Sequence, residues 1–291
     1  MFSDTHFHLR HIVKDKGLDG TLILKQLTER GTFFALDVGT QADDLAERIS
    51  VFNDCAEKLS QSERQKAQAM TFFSAGIWPS TEEIRQRSER IGILKSQIAQ
   101  AEAAFKDEKK IIAIGECGFD HHWNPSGPDG RSESDFDSAA LKGEQELFES
   151  QLELAKQENL PVIVHTRDAF SQTLDCLKNA NCRALIHCFS YGIEEARAFL
   201  DAGCFIAFGG AITYAKKSKL PAMIQLLRFV PEDRFLMETD APYLAPVPFR
   251  GKINTPLLIE HTYNFAAEAK GISALTLSQT VDANIKRFLN I

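Results

Sequence analysis

Histidines and carboxylates gather in five short clusters along the chain: Asp4-Thr5-His6-Phe7-His8, Gly115-Glu116-Cys117-Gly118-Phe119-Asp120, His165-Thr166-Arg167-Asp168, His187-Cys188-Phe189-Ser190 and Glu238-Thr239-Asp240-Ala241-Pro242. These residue types bind divalent cations. Imidazole mixed with carboxylate suits Zn, Mn, Fe or Ni, and a site richer in oxygen and water suits Mg. In a strand, residues two apart share a face, so His6 and His8 can aim at one ion. A lone His-x-His pair is a weak signal, and a single acid after a strand is more often a cap or an ion-pair partner. Six such residues on one rim are not. His6, His8, Glu116, His165, His187 and Asp240 are therefore read as metal ligands, with Asp240 and Glu116 also the catalytic candidates.

The elements that must position them are legible as apolar runs. They are Met1-Phe2-Ser3, 33–36, 72–75, 111–114, 162–164, 184–186, 205–208 and 235–237. Short continuous apolar runs suit strands buried on both faces, as in a parallel sheet. Longer polar stretches with helical periodicity separate them. In one, Phe148, Leu152 and Ala155 mark a single helix face, which ends near Asn159 because Pro161 follows. Eight strands alternating with helices predict an α/β fold, a single (β/α)8 TIM-type barrel domain over residues 1–291, with an open doubly wound sheet as the alternative. In such a barrel, catalytic residues collect at the C-terminal ends of the strands, where the clusters fall. The Pro-, Gly- and Ser-rich segment 124–138 reads as a long loop on that rim, either a substrate-contacting lid or a surface insertion.

Composition sets further bounds. In 291 residues, 44% are hydrophobic and 25% charged, ordinary for a globular protein with a large core. The formal net charge of −7 gives no whole-molecule attraction for a polyanion. The six cysteines are scattered without a CxxC pair and read as buried hydrophobes in a reduced compartment. No secretory pattern or membrane-length apolar run is present, so the expectation is a cytoplasmic protein with no membrane association and no obligate protein partner.

Taken together, the clusters resemble those of the TatD-type DNases, a branch of the amidohydrolase superfamily. The resemblance is carried by Asp4 to Leu9, Gly115 to Asp120, Leu160 to Ala169, His187 to Ser190 and Glu238 to Leu244. Arg250-Gly251-Lys252, Asn254, Pro256 and Asn284 also match. It implies a metal-dependent hydrolase, commonly a deoxyribonuclease with exonuclease character, holding two divalent ions (Mg, Mn or Zn). By analogy Glu116 bridges them, one ion taking His6, His8, Glu116 and Asp240 and the other Glu116, His165 and His187. Departures are Trp78 where the family usually has histidine, Arg10 where an acid is common, and the long 124–138 segment. Trp78 either stacks on a nucleobase or fills the rim.

Three functions compete. The first is two-metal phosphodiester hydrolysis of DNA, single-stranded or at 3′ ends, with Asp240 taking the proton of the attacking water and Arg167, Arg250 and Lys252 contacting phosphates. Lys216 and Lys217 read as solvated, and His121 and His122 as loop residues without a partner. The second is hydrolysis of a small ester or amide: a lactone, a cyclic amide or an aminoacyl-tRNA ester. The third, a barrel that has lost catalysis, is disfavoured because all six ligands are present.

Overall fold

A computed structural model describes residues 2–106, 108–122 and 132–290. Eight parallel strands pair in the order of the chain: β1 (Asp4–Phe7), β2 (Ala35–Asp37), β3 (Thr71–Ala75), β4 (Ile111–Asp120), β5 (Val162–Arg167), β6 (Ala184–Ile186), β7 (Phe205–Phe208) and β8 (Phe235–Met237). The sheet closes where Phe7 bridges to Ala241. Two backbone hydrogen bonds make the seam: Asp240 N–H donates to the His6 carbonyl at 2.8 Å and His8 N–H to the Ala241 carbonyl at 2.8 Å. This is the (β/α)8 barrel that the alternation predicts, not the open sheet. Its strands are buried almost throughout, which is why they read as apolar runs.

Strands six, seven and eight coincide with their apolar runs. Two others do not. The first lies at Asp4–Phe7 and not at Met1–Ser3, because the Asp4 carboxylate is satisfied inside the barrel and can occupy a strand position. The fourth runs on from Ile114 to Asp120, so Glu116 lies within it and not after it. There the pairing with β5 slips, Ile114 facing Val162 but Cys117 facing Val164, so an extra residue is accommodated around Gly115 and Glu116. Such bulges re-aim side chains beside active sites.

The helix Ser138–Gln157 buries Phe148, Leu152 and Ala155, the face its periodicity marks. It ends two residues before Asn159, which adopts a left-handed conformation. Residues 124–131 of the 124–138 segment lie outside the described residues. The remainder forms the short turn Glu133–Phe136 and the start of that helix. All six cysteines are free, four of them buried. Among the described residues, no helix is long and apolar enough to cross a membrane.

Candidate metal centre

Glu116 stands at the middle of the barrel mouth and divides the other five residues between its two oxygens. Oε2 lies 3.4 Å from His6 Nε2 and 4.0 Å from His8 Nε2. Asp240 Oδ1 completes that side, 3.8 Å from His6 Nε2 and 3.5 Å from His8 Nε2. Oε1 lies 2.9 Å from His165 Nδ1 and 3.0 Å from His187 Nε2. The two groups are joined where the His6 and His187 rings stack, 4.1 Å between centroids. Most of these side chains are sealed from solvent, but those of His165 and Asp240 keep 15% and 14% exposure and form the open side.

Local sequence explains how the backbone reaches this arrangement. Gly118 has φ 145°, and a Cβ there would run into the His165 carbonyl. Glycine thus lets β4 approach β5 closely enough for Glu116 and His165 to meet. Asp240 has φ 55°, a left-handed conformation that costs energy in a non-glycine residue. The barrel seam holds it, since its N–H is bonded to His6. Asp4 fixes both ends of that seam. One carboxylate oxygen accepts from the N–H groups of His6 (3.1 Å) and Thr239 (3.0 Å), and the other from the Thr239 hydroxyl (2.6 Å). Burial pushes the Asp4 carboxyl up to about 7 against those hydrogen bonds.

A second ring of groups orients the imidazoles. His8 Nδ1 faces the Val38 carbonyl at 2.9 Å, His165 Nε2 faces Asp120 Oδ2 at 3.0 Å, and His187 Nδ1 lies 3.4 Å from Glu238 Oε1. A carbonyl or carboxylate only accepts, so the outward nitrogens of His8 and His165 carry the hydrogen, whereas His187 Nδ1 is buried near Glu238 without a hydrogen bond among the described residues. In the neutral rings the inward nitrogens are then bare lone pairs. That of His165 points at an oxygen of Glu116, 2.9 Å away, and that of His8 at His6 Nε2, 3.2 Å away. Acceptors packed against acceptors require positive charge between them. The donor set of four imidazoles and two carboxylates therefore fits divalent cations, with outer partners of the kind that fix metal-binding histidines.

Without a cation, protons must supply that charge. Burial works against a charged His187 ring, but the charges of Glu116 and Glu238 push its pKa well above the ordinary value. His165 and His8 are also raised against burial, the former by Asp120 and Glu116 and the latter chiefly by Asp240. Burial would raise Glu116, yet His187 and hydrogen bonds from three histidines hold its carboxyl well below the usual range. His6 is lowered by burial and by the charge of His187. Its Nδ1 is buried without a hydrogen-bond partner among the described residues.

All six predicted ligands thus converge on one centre. The predicted substrate contacts do not join it directly. Arg167, at the end of β5, lies 3.9 Å from Asp120 Oδ2. Arg250 sits over the Tyr214 ring at 4.4 Å, and Lys252 is exposed on the same loop beyond β8. Trp78 is half-buried with its ring edge-on to His165, centroids 5.9 Å apart. Arg10 pairs with Glu47 at 2.7 Å. His121 and His122 do have partners: Glu144 Oε2 at 3.1 Å and Asp168 Oδ2 at 2.7 Å. Sequence reasoning missed the positioning roles of Asp4, Asp120 and Glu238, although each lies two to four residues from a ligand.

The same architecture recurs in known proteins. The model of the TatD related DNase family matches residues 3–290. An uncharacterized metal-dependent hydrolase of Bacillus subtilis is 29% identical over 294 residues, covering 100% of both chains. A 3′-5′ ssDNA/RNA exonuclease TatD of Pectobacterium carotovorum is 34% identical over 189 residues, 62% of this chain and 66% of its own. The crystal structure of a TatD homologue from Escherichia coli has a TM-score of 0.76 at 25% identity, covering 100% of this chain and 98% of that one. The chain belongs to the TatD related DNase family, metal-dependent hydrolases built on this barrel.

Proposed function

We propose that the chain is a metal-dependent phosphodiesterase that shortens DNA from its 3′ end, acting on single strands. The observation that carries this reading is the division of Glu116, one oxygen facing His6, His8 and Asp240 and the other His165 and His187. Two divalent cations, Mg, Mn or Zn, would be held by those two groups with Glu116 shared. When bound, such a pair would supply charge stabilisation to a phosphoryl group and make water a better nucleophile near neutral pH.

The remaining chemistry belongs to the side chains. Asp240 is the acid on the open side of the centre, so it can accept the proton of the attacking water as well as help hold a cation. Arg167 stands at the end of β5, half-exposed, where a guanidinium can take a phosphate oxygen. Arg250 and Lys252 add cations on the loop that follows Asp240. A rim with several cations favours phosphodiesters over a neutral lactone or amide. The family description and the Pectobacterium relative's printed activity support the same choice.

The test is an assay on 5′-labelled single-stranded DNA with chelator-stripped protein, adding back Mg or Mn, beside Asp240→Asn. Cation-dependent shortening that the variant loses by about a hundredfold or more is expected, and the ladder reports polarity. Intact DNA under every cation, with metal bound in stoichiometric amount, would overturn the reading and direct attention to ester and amide substrates.

A further inference from the structure

Away from the metal centre, charge is distributed unevenly. The chain carries 40 acidic and 33 basic residues. Yet residues 209–220 and 241–258, the loops beyond β7 and β8, contain no acid and five cations: Lys216, Lys217, Lys219, Arg250 and Lys252. Among the described residues none of the five has an ion-pair partner, and all are exposed. Exposed apolar side chains gather in the same place. Of eight large hydrophobic residues exposed among the described residues, five belong to the second loop: Tyr243, Leu244, Val247, Phe249 and Ile253.

The two loops form one surface. Tyr214 donates its hydroxyl to the Ala245 carbonyl at 2.6 Å, and Val247 N–H donates to Thr213 Oγ1 at 2.9 Å. The Arg250 guanidinium lies on the Tyr214 ring, and Phe249 packs against His261 with centroids 5.1 Å apart. Pro242, Pro246 and Pro248 restrict the backbone further, so the surface is ordered before any ligand arrives. It is also continuous with the metal centre. Tyr243 places its hydroxyl 3.3 Å from His11 Nδ1, and its ring lies 6.1 Å from that of His8.

From this we infer that the loops beyond β7 and β8 are a docking platform for the body of a single-stranded polynucleotide whose end enters the metal centre. The inference rests on the nuclease reading and deepens it. Exposed aromatic rings among unpaired cations are what single strands need. Bases stack on the rings, and phosphates meet the ammonium and guanidinium groups. A duplex would bring its bases already stacked and could not use Tyr243 or Phe249. The local excess of positive charge supplies the attraction that the net charge of −7 does not. Lys216, Lys217 and Lys219 are thereby strand contacts, beyond the Arg250 and Lys252 that the motifs single out.

The experiment measures binding apart from cleavage. Cation-loaded protein is titrated into a fluorescent, phosphorothioate-linked single-stranded oligonucleotide, and anisotropy is read between about 50 and 200 mM salt. Combined Lys216→Gln, Lys217→Gln and Lys219→Gln should weaken binding at least about tenfold and flatten the log-log salt slope by about 2. Tyr243→Ser and Phe249→Ser should each weaken it about tenfold, more for single strand than for duplex. Wild-type affinity and slope in the triple lysine variant, with cation-dependent DNA cleavage present, would overturn the platform and leave the nuclease reading standing. Tight, lysine-dependent binding without cleavage of any phosphodiester would do the reverse. Retention of anionic vesicles or self-association, with the oligonucleotide ignored, would also overturn the platform.

Discussion

Asp120 stands directly behind His165, its Oδ2 3.0 Å from Nε2, while the other nitrogen of the same ring lies 2.9 Å from Glu116. The carboxylate thereby decides which nitrogen holds the hydrogen and which faces the centre. Its other oxygen accepts the His122 N–H at 3.0 Å, which holds it in place. Replacing Asp120 with Asn keeps the shape and removes the charge. The expected result is a 10- to 100-fold loss of cation affinity, of the order seen when such outer partners are removed. Calorimetric titration of Mn or Zn into the variant checks it. Unchanged affinity would mean that His165 is oriented by packing alone.

Protons and cations compete for this centre. With no cation, the neighbouring carboxylates raise the pKa of His165 and His8 and push that of His187 well above its ordinary value, so these rings hold protons more readily than free imidazole, while Glu116 is held well below its usual range. Ligation needs the ring lone pairs, so binding must expel those protons. Cation affinity should rise with pH and fall as the solution is acidified. Titrations in two buffers of different ionisation heat should give apparent enthalpies that differ in the sense of proton release. Identical enthalpies would show that the rings are already neutral.

The barrel and the cluster of candidate ligands were legible because both obey short-range patterns. A run such as Val162-Ile163-Val164 marks the buried start of a strand, and His165 directly follows that run, within the strand. What the sequence hid depends on contacts between distant residues. His121 meets Glu144 and His122 meets Asp168, partners 23 and 46 positions away, which no periodicity reveals. Asp4 reads as the end of a strand because acids disfavour strands, yet Thr239, 235 positions later, satisfies it and lets the strand begin there. Glu116 reads as a residue after β4 because its flanking glycines look like a turn. They serve a bulge inside the strand.

The close approach of β4 to β5 just beyond that bulge gives a sharp prediction at Gly118. Its φ of 145° is one that side chains rarely adopt, and a methyl group would strike the His165 carbonyl. Gly118→Ala should cost about 3 kcal/mol or more, combining backbone strain with overpacking. Because the clash is with His165 itself, the cation affinity of the folded fraction should fall too. Denaturant unfolding and metal titration of the variant measure the two effects. Wild-type values in both would show that β4 and β5 can separate at little cost.

The last prediction concerns the support beneath His8. Arg48 is buried between two carboxylates, 2.6 Å from Asp37 and 2.8 Å from Asp44, and also donates to the Ser74 carbonyl at 2.6 Å. Asp37 in turn accepts the Leu9 N–H at 2.9 Å, one residue after His8. Burial pushes the Asp37 carboxyl up despite the Arg48 charge beside it. Removing the guanidinium would leave two buried acids without a counter-charge, a situation that costs about 3–5 kcal/mol. Arg48→Met should therefore destabilise the barrel by about that amount near neutral pH. The loss should shrink on mild acidification, because Asp37, relieved of Arg48, can then take up a proton. Unfolding measured at two pH values decides the matter. A loss of equal size at both would assign the effect to lost packing and hydrogen bonds, not to uncompensated charge.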